Sequence, residues 1–201
     1  MLIVISQEEN STNEMMVLQQ LFELGLTTFH LRKPFQTIEE TRHYLNKIPS
    51  KYHSNIVLHQ YHELVDEYNV KGIHLKENDR VKRAFELEDD ILFFKKKYNK
   101  TVSSSFHALK GIVNSPILFD YVFLSPVFHS ISKKNYSGKQ FDVHSIHQKT
   151  IALGGISFTT IPKAIKLGYD GVAVMGSIWK NKNPIVEFKK IQSCLYPAPS
   201  H

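Results

Sequence analysis

Ile151-Ala152-Leu153-Gly154-Gly155-Ile156-Ser157 and Gly171-Val172-Ala173-Val174-Met175-Gly176-Ser177 are two copies of one device near the end of the chain. Each is a short apolar run that stops at glycine and a small hydroxyl residue, and a helical pattern follows each. Strand, glycine turn and helix start, twice in succession, is how a (β/α)8 barrel builds a phosphate site. Glycine lets the backbone approach the ligand, and the free N–H groups of the helix start supply donors. Two ordinary strand–helix turns of any α/β protein would look the same, so the rest of the chain must decide.

Upstream, strand-like runs recur at Leu2–Ser6, Thr28–Arg32, Asn55–His59, Gly72–Leu75, Thr101–Ser105 and Tyr121–Leu124, and the final pair spans Thr150–Leu153 and Gly171–Met175. Helical patterns lie between them. Asn13–Leu24 places Met16, Leu18, Leu21, Phe22 and Leu24 largely on one side and stops at Gly25. Thr37–Lys47 opens with a Thr and carries Glu40 three residues on, a capping box. Further patterns cover His62–Tyr68, a region around Glu88–Tyr98, Ala108–Val113, Thr159–Leu167 and Pro184–Leu195. Eight strands alternating with helices, several of them continuously apolar, predict a parallel sheet buried on both faces. Eight units favour closure, so the expected fold is α/β: a single (β/α)8 TIM barrel of minimal size over residues 1–195. A disordered, Pro-containing tail is expected over residues 196–201.

Composition narrows the class. The chain is 42% hydrophobic and 22% charged, and no apolar run approaches the ~20 residues of a membrane span. Residues 1–6 lack the basic start and long apolar centre of a signal peptide. The single Cys194 excludes an intrachain disulfide, which fits a cytoplasmic location, and it reads as a helix packing residue. The net charge is +6, but lysines such as Lys95-Lys96-Lys97 are scattered or sit on helix faces. No basic stripe interleaved with aromatics appears, so the charge points to anionic small molecules rather than nucleic acid. A homo-oligomer is left open.

In a barrel the chemistry lies where strands end. Strand 2 ends Phe29-His30-Leu31-Arg32-Lys33-Pro34, and alternation puts His30 and Arg32 on one face, at least one of them in the barrel mouth. An inward arginine is costly unless it meets an anion. Strand 4 runs into Lys76-Glu77-Asn78-Asp79, where a carboxylate can hold Mg²⁺ or simply cap the next helix. Ser125 through Lys139, rich in hydroxyls and lysines, suits either a lid over a polyphosphate or a plain solvated loop. Histidines also collect at strand ends: His30, His59, His74 and His107. They raise a second class, a hydrolase with an imidazole-held metal, although no His-x-His pair occurs.

Together these stretches resemble the thiamine phosphate synthase and TenI thiazole tautomerase family. The resemblance is carried by His30-Leu31-Arg32-Lys33-Pro34, Gly72-Ile73-His74-Leu75 with Asp79, Ser105-Phe106-His107, Asp120-Tyr121-Val122, Pro126-Val127-Phe128 through Lys134, and the two glycine turns. It covers about residues 1–195 at family spacing. It implies a transferase of thiamine biosynthesis that joins hydroxymethylpyrimidine diphosphate to thiazole phosphate and expels pyrophosphate. The alternatives are a TenI-like tautomerase, an isomerase, and a non-catalytic phosphate-ligand binder. By resemblance, Arg32 and Lys133 hold pyrophosphate, and Ser105, with His107 beside it, meets the diphosphate. Ser130 and Ser132 line the thiazole side, while the backbone N–H groups of Gly155, Met175 and Gly176 bind the thiazole phosphate. Asp79 and Gln60 stand at the positions of the magnesium ligands.

Three departures qualify that set. The family's Asn-Asp-Arg after strand 3 reads His59-Gln60-Tyr61, so Mg²⁺ loses a charged ligand and is expected to bind weakly and only with substrate. Pro34 replaces the strand-2 lysine. His30 in place of glutamine is a tautomerase-like trait and makes His30 or His74 the candidate base, whereas Pro126 is synthase-like.

Overall fold

The computed structural model describes residues 1–82, 87–129 and 138–197. Eight strands close into a barrel in chain order, each parallel to its neighbours. They are β1 (Leu2–Ile5), β2 (Phe29–Leu31), β3 (Ile56–Leu58), β4 (Gly72–Leu75), β5 (Thr101–Phe106), β6 (Tyr121–Leu124), β7 (Thr150–Leu153) and β8 (Gly171–Val174). Closure comes from β8 against β1, where Leu2 pairs with Val172 and Val4 with Val174. A closed parallel sheet has no edge, so no ladder group is left to pair with another chain.

The side-chain period of two divides every strand between two cores. Ile3, Ile5, Tyr121, Phe123, Ile151 and Ala173 form a cluster separate from the main one and occupy the barrel interior. Their neighbours Leu2, Val4, Phe29, Leu31, Val122, Leu124, Val172 and Val174 belong to the larger cluster between barrel and helices. Each fully buried aliphatic or aromatic side chain contributes on the order of 1.5–3 kcal/mol, so two such layers hold a minimal barrel.

The helices are α1 (Glu14–Glu23), α2 (Ile38–Asn46), α3 (Glu77–Lys82), α4 (Leu87–Tyr98), α5 (Leu109–Val113), α6 (Ile161–Lys166), α7 (Gly176–Trp179) and α8 (Pro184–Leu195). The expected capping box closes α2: Thr37 Oγ1 accepts from the Glu40 N–H, and the Glu40 carboxylate accepts from the Thr37 N–H. After β3 the expected helix is only a 3-10 stretch, His62–Asp66. A second 3-10 stretch over Ser50–Asn55 and α3 went unpredicted, being too short to carry a periodic apolar face, whereas the helix start expected after the second glycine turn is the single turn of α7. Helix α8 ends at Leu195, and Cys194 is half-buried upon it. No helix among the described residues is long and apolar enough to cross a membrane.

Candidate active site

One cavity of about 500 Å³ opens at the carboxyl ends of the strands. That volume suits small-molecule ligands. Six expected site residues line it: Arg32, Ser105, His107, Gly155, Met175 and Gly176. Lys133, Ser130 and Ser132 lie outside the described residues, as does most of the suggested lid.

Arg32 continues inward past the end of β2 and pairs with Glu8, another wall residue. Its backbone is fixed by Ser6, whose Oγ accepts from the Arg32 N–H at 2.8 Å and donates to the Arg32 carbonyl at 2.9 Å. The cation expected to meet an anion thus has an internal carboxylate as its partner. Lys33 turns the other way. Its ammonium is buried and donates to Glu14 at 2.5 Å and to the Glu9 carbonyl at 2.9 Å, so it belongs to the packing of α1.

Across the cavity are the two glycine turns. Gly154 (φ +96°) and Gly155 (φ +65°) take left-handed conformations that favour glycine. A second reason comes from the segment after β6, which crosses them. Val127 N–H donates to the Leu153 carbonyl and Phe128 N–H to the Gly154 carbonyl, both at 3.0 Å. A Cβ on Gly155 would stand 2.3 Å from the His129 carbonyl oxygen. The N–H groups of Gly155, Gly176 and Ser177 meet no acceptor among the described residues. The Ser177 hydroxyl, the small hydroxyl residue of the second turn, is also buried there and has no partner among the described residues. This is an anion-ready wall.

Glu77 is the second carboxylate of the cavity, also unforeseen. It stands 3.4 Å from Arg80, whose guanidinium lies 3.8 Å over the Phe106 ring, and 3.7 Å from His107 Nε2. His107 Nδ1 contacts the Ser125 carbonyl at 3.0 Å and the Ser125 hydroxyl at 3.1 Å. The expected metal positions fall elsewhere. Asp79 is exposed in the first turn of α3, Gln60 is half-buried past β3, and neither lines the cavity. Asp79 belongs to no metal-capable group of three or more side chains among the described residues. These residues alone do not fit Mg²⁺, which prefers carboxylates at close octahedral spacing.

His30 is placed differently from expectation. Arg32 reaches the cavity wall, whereas His30 lies one layer deeper and is fully buried. Its Nδ1 is 2.8 Å from His59 Nε2, and its Nε2 is 2.7 Å from the Tyr121 hydroxyl. Beside it, His74 Nδ1 is 2.9 Å from Ser103 Oγ, and His74 Nε2 is 2.8 Å from Ser105 Oγ. Ser103 also donates to the Ile73 carbonyl, so it accepts from His74 Nδ1–H, and the lone pair of Nε2 accepts from Ser105. Burial, reinforced by the charge His74 would carry, holds His30 and His59 well below the usual imidazole range. Burial and the neighbouring His62 push His74 down to about 3. All three imidazoles are therefore neutral near pH 7.

The match to known proteins follows this geometry. The family described as thiamine monophosphate synthase matches residues 1–178. A thiamine-phosphate synthase of Phocaeicola vulgatus is 24% identical over 172 residues, covering 80% of this chain and 79% of that one. One from Staphylococcus epidermidis is 25% identical over 181 residues, covering 83% and 82%. Among solved structures, the thiamine phosphate pyrophosphorylase of Bacteroides thetaiotaomicron superposes with a TM-score of 0.73 at 28% identity, covering 96% of both chains. A 3-hexulose-6-phosphate synthase shares the fold at a TM-score of 0.65 and 13% identity. The residues, the barrel and these matches agree, and the chain belongs to the thiamine monophosphate synthase family.

Proposed function

We propose that the protein is a thiamine phosphate synthase-type transferase that couples hydroxymethylpyrimidine diphosphate to thiazole phosphate. The observation that carries this reading is a single cavity with two anion-directed ends. Arg32 forms one, and the N–H groups of Gly155, Gly176 and Ser177 form the other. A reaction between a diphosphate and a phosphate ester calls for two such ends.

The pyrimidine CH₂–O bond breaks with its electron pair leaving on pyrophosphate, and the thiazole nitrogen supplies the pair for the new C–N bond. Little covalent work falls to the protein, so catalysis consists of positioning and of stabilising the departing charge. Arg32 would exchange Glu8 for the diphosphate, and Lys133 would join it by resemblance. Ser105 and His107 offer hydrogen bonds to the same group. The glycine wall would hold the thiazole phosphate. An isomerase needs a base at the ring, and the burial of His30 beneath the cavity weighs against it in that role.

The test incubates the protein with pyrimidine diphosphate, the thiazole carboxylate phosphate tautomer and Mg²⁺, and assays both thiamine phosphate and tautomer exchange. The expected result is coupled product with equimolar pyrophosphate and, because the thiazole enters as its carboxylate, equimolar CO₂, reduced by Arg32→Ala about thirty- to a thousandfold in turnover, equivalent to roughly 2–4 kcal/mol at the transition state. Tautomer exchange without coupling would overturn the transferase reading. Neither reaction, with phosphate-ester binding intact, would leave a binder.

A further inference from the structure

Beneath the cavity, His30, His59 and His74 come from three adjacent strands and are buried together, one ring nitrogen of each lying within 4.8 Å of the other two. We propose that these three imidazoles form a binding site for one first-row divalent transition ion of the zinc type, separate from any magnesium that accompanies a diphosphate.

The strand register builds the cluster. Leu58 pairs with Ile73, so the next residue along, His59, falls beside His74. His30 pairs with Val57 on the other flank, and the His59 N–H donates to the Leu31 carbonyl at 3.1 Å. The His59 and His74 rings stack with centroids 4.2 Å apart, and His30 meets both edge-on at 5.0 and 5.3 Å. Three imidazoles are a neutral, nitrogen-donor set that suits zinc, cobalt or nickel, whereas magnesium takes oxygen ligands.

The surroundings support ligation. An imidazole that binds a metal through one nitrogen donates through the other, which fixes its tautomer and orientation. Here His30 Nε2 has the Tyr121 hydroxyl as partner, and His74 Nδ1 has Ser103, which passes the bond on to the Ile73 carbonyl. The nitrogens that would then face an ion are His30 Nδ1, His59 Nε2 and His74 Nε2, the last once the Ser105 hydroxyl turns away from it. The first two are already 2.8 Å apart, sharing a proton position that a metal would take. Zn–N bonds of about 2.0–2.1 Å need nitrogens roughly 3.3 Å apart, so the rings must shift by only an ångström or so. Ser105 joins the cluster to the cavity: the residue lines the cavity, and its hydroxyl touches His74 Nε2. The resemblance pattern has asparagine where this chain has His59.

The test uses full-length protein stripped with a chelator and titrated with Co²⁺, following visible absorption and the metal-to-protein ratio. One equivalent should bind with the intense bands of a low-coordinate, nitrogen-rich site. Zn²⁺ should displace it, and millimolar Mg²⁺ should not. The variant His30→Gln/His59→Asn should weaken binding more than about a hundredfold. It should also abolish the rise in Tm that Zn²⁺ gives the parent protein. If the double variant fails to fold, His59→Asn alone carries the comparison. No binding by the parent protein, or equal affinity in the variant, would overturn the site, the second result assigning the ion to surface histidines. The readout is binding, so it stands or falls independently of the transferase reading.

Discussion

Arg32 and Lys33 are sequence neighbours with opposite surroundings. Arg32 points into the cavity, while Lys33 forms a buried pair with Glu14, both side chains almost without solvent contact. Removing one member of such a pair strands the other's charge, whereas replacing both with apolar groups of similar volume is often neutral or better. Lys33→Met is therefore expected to destabilise the protein by about 3–5 kcal/mol in urea unfolding, and Lys33→Met/Glu14→Leu to recover most of that loss. A Lys33→Met protein of unchanged stability would contradict the pair. The histidines give a second expectation. In the unfolded chain His74 takes up a proton near 6.5, and in the folded protein only near 3. Between those values the unfolded state binds more protons, so stability is complete above pH 6.5 and falls as pH drops through the window. The slope approaches about 1.4 kcal/mol per pH unit for each such histidine. Urea unfolding of chelator-treated protein between pH 7.5 and 5 measures it, and a flat profile would mean that the imidazoles are not buried neutral. Arg32 was legible in the sequence because a strand-end position with alternation puts it or His30 in the barrel mouth, whereas Ser105 and His107 came from the family resemblance, and all three line the cavity. The His30–His59–His74 contact was not, because it depends on register across three strands, which no local pattern encodes.

At the level of elements, the periodic signals translated well. β4, β6, β7 and α8 occupy the spans their apolar runs predict, and the other strands differ only at their ends. The failures share one cause: α3 and the 3-10 stretches are too short to carry an apolar stripe of their own, so periodicity has nothing to report. The β7 turn adds a role that its sequence did not disclose. Its glycines read as room for a ligand, and they also make room for the chain after β6. In Gly155→Ala the side chain meets a backbone carbonyl and occupies a left-handed conformation, so the crossing segment must move. The expected cost is about 1–3 kcal/mol in thermal or denaturant unfolding, together with weaker phosphate-ester binding, since the same turn lines the cavity. Full stability with unimpaired binding would show that the crossing segment yields freely.

Across the whole molecule, the barrel interior is two-sided. Strands β6, β7, β8 and β1 fill it with Phe123, Ile151, Ala173, Ile3 and Ile5, whereas β2, β4 and β5 contribute His30, His74 and Ser103, with His59 just past Val57 and the end of β3. Above the apolar side sits the glycine wall with its N–H donors, and above the polar side sits Arg32. The carboxylates of the cavity are already engaged, Glu8 with Arg32 and Glu77 with Arg80, and Asp79 stands apart on α3. A hard dication entering the ligand-free protein would have to separate those pairs or settle for one exposed carboxylate and a neutral Gln60. A diphosphate changes the balance, because it brings oxygens of its own and draws Arg32 away from Glu8. Calorimetry should therefore detect little Mg²⁺ binding to the ligand-free protein and clear binding once pyrophosphate is present, with pyrophosphate affinity rising by the same factor when Mg²⁺ is added, as linkage requires. Tight Mg²⁺ binding without pyrophosphate would locate a preformed carboxylate site and remove the argument from charge pairing. Gln60→Asp should shift part of the affinity back to the free protein, because it restores a charged oxygen at the position where the family pattern has one.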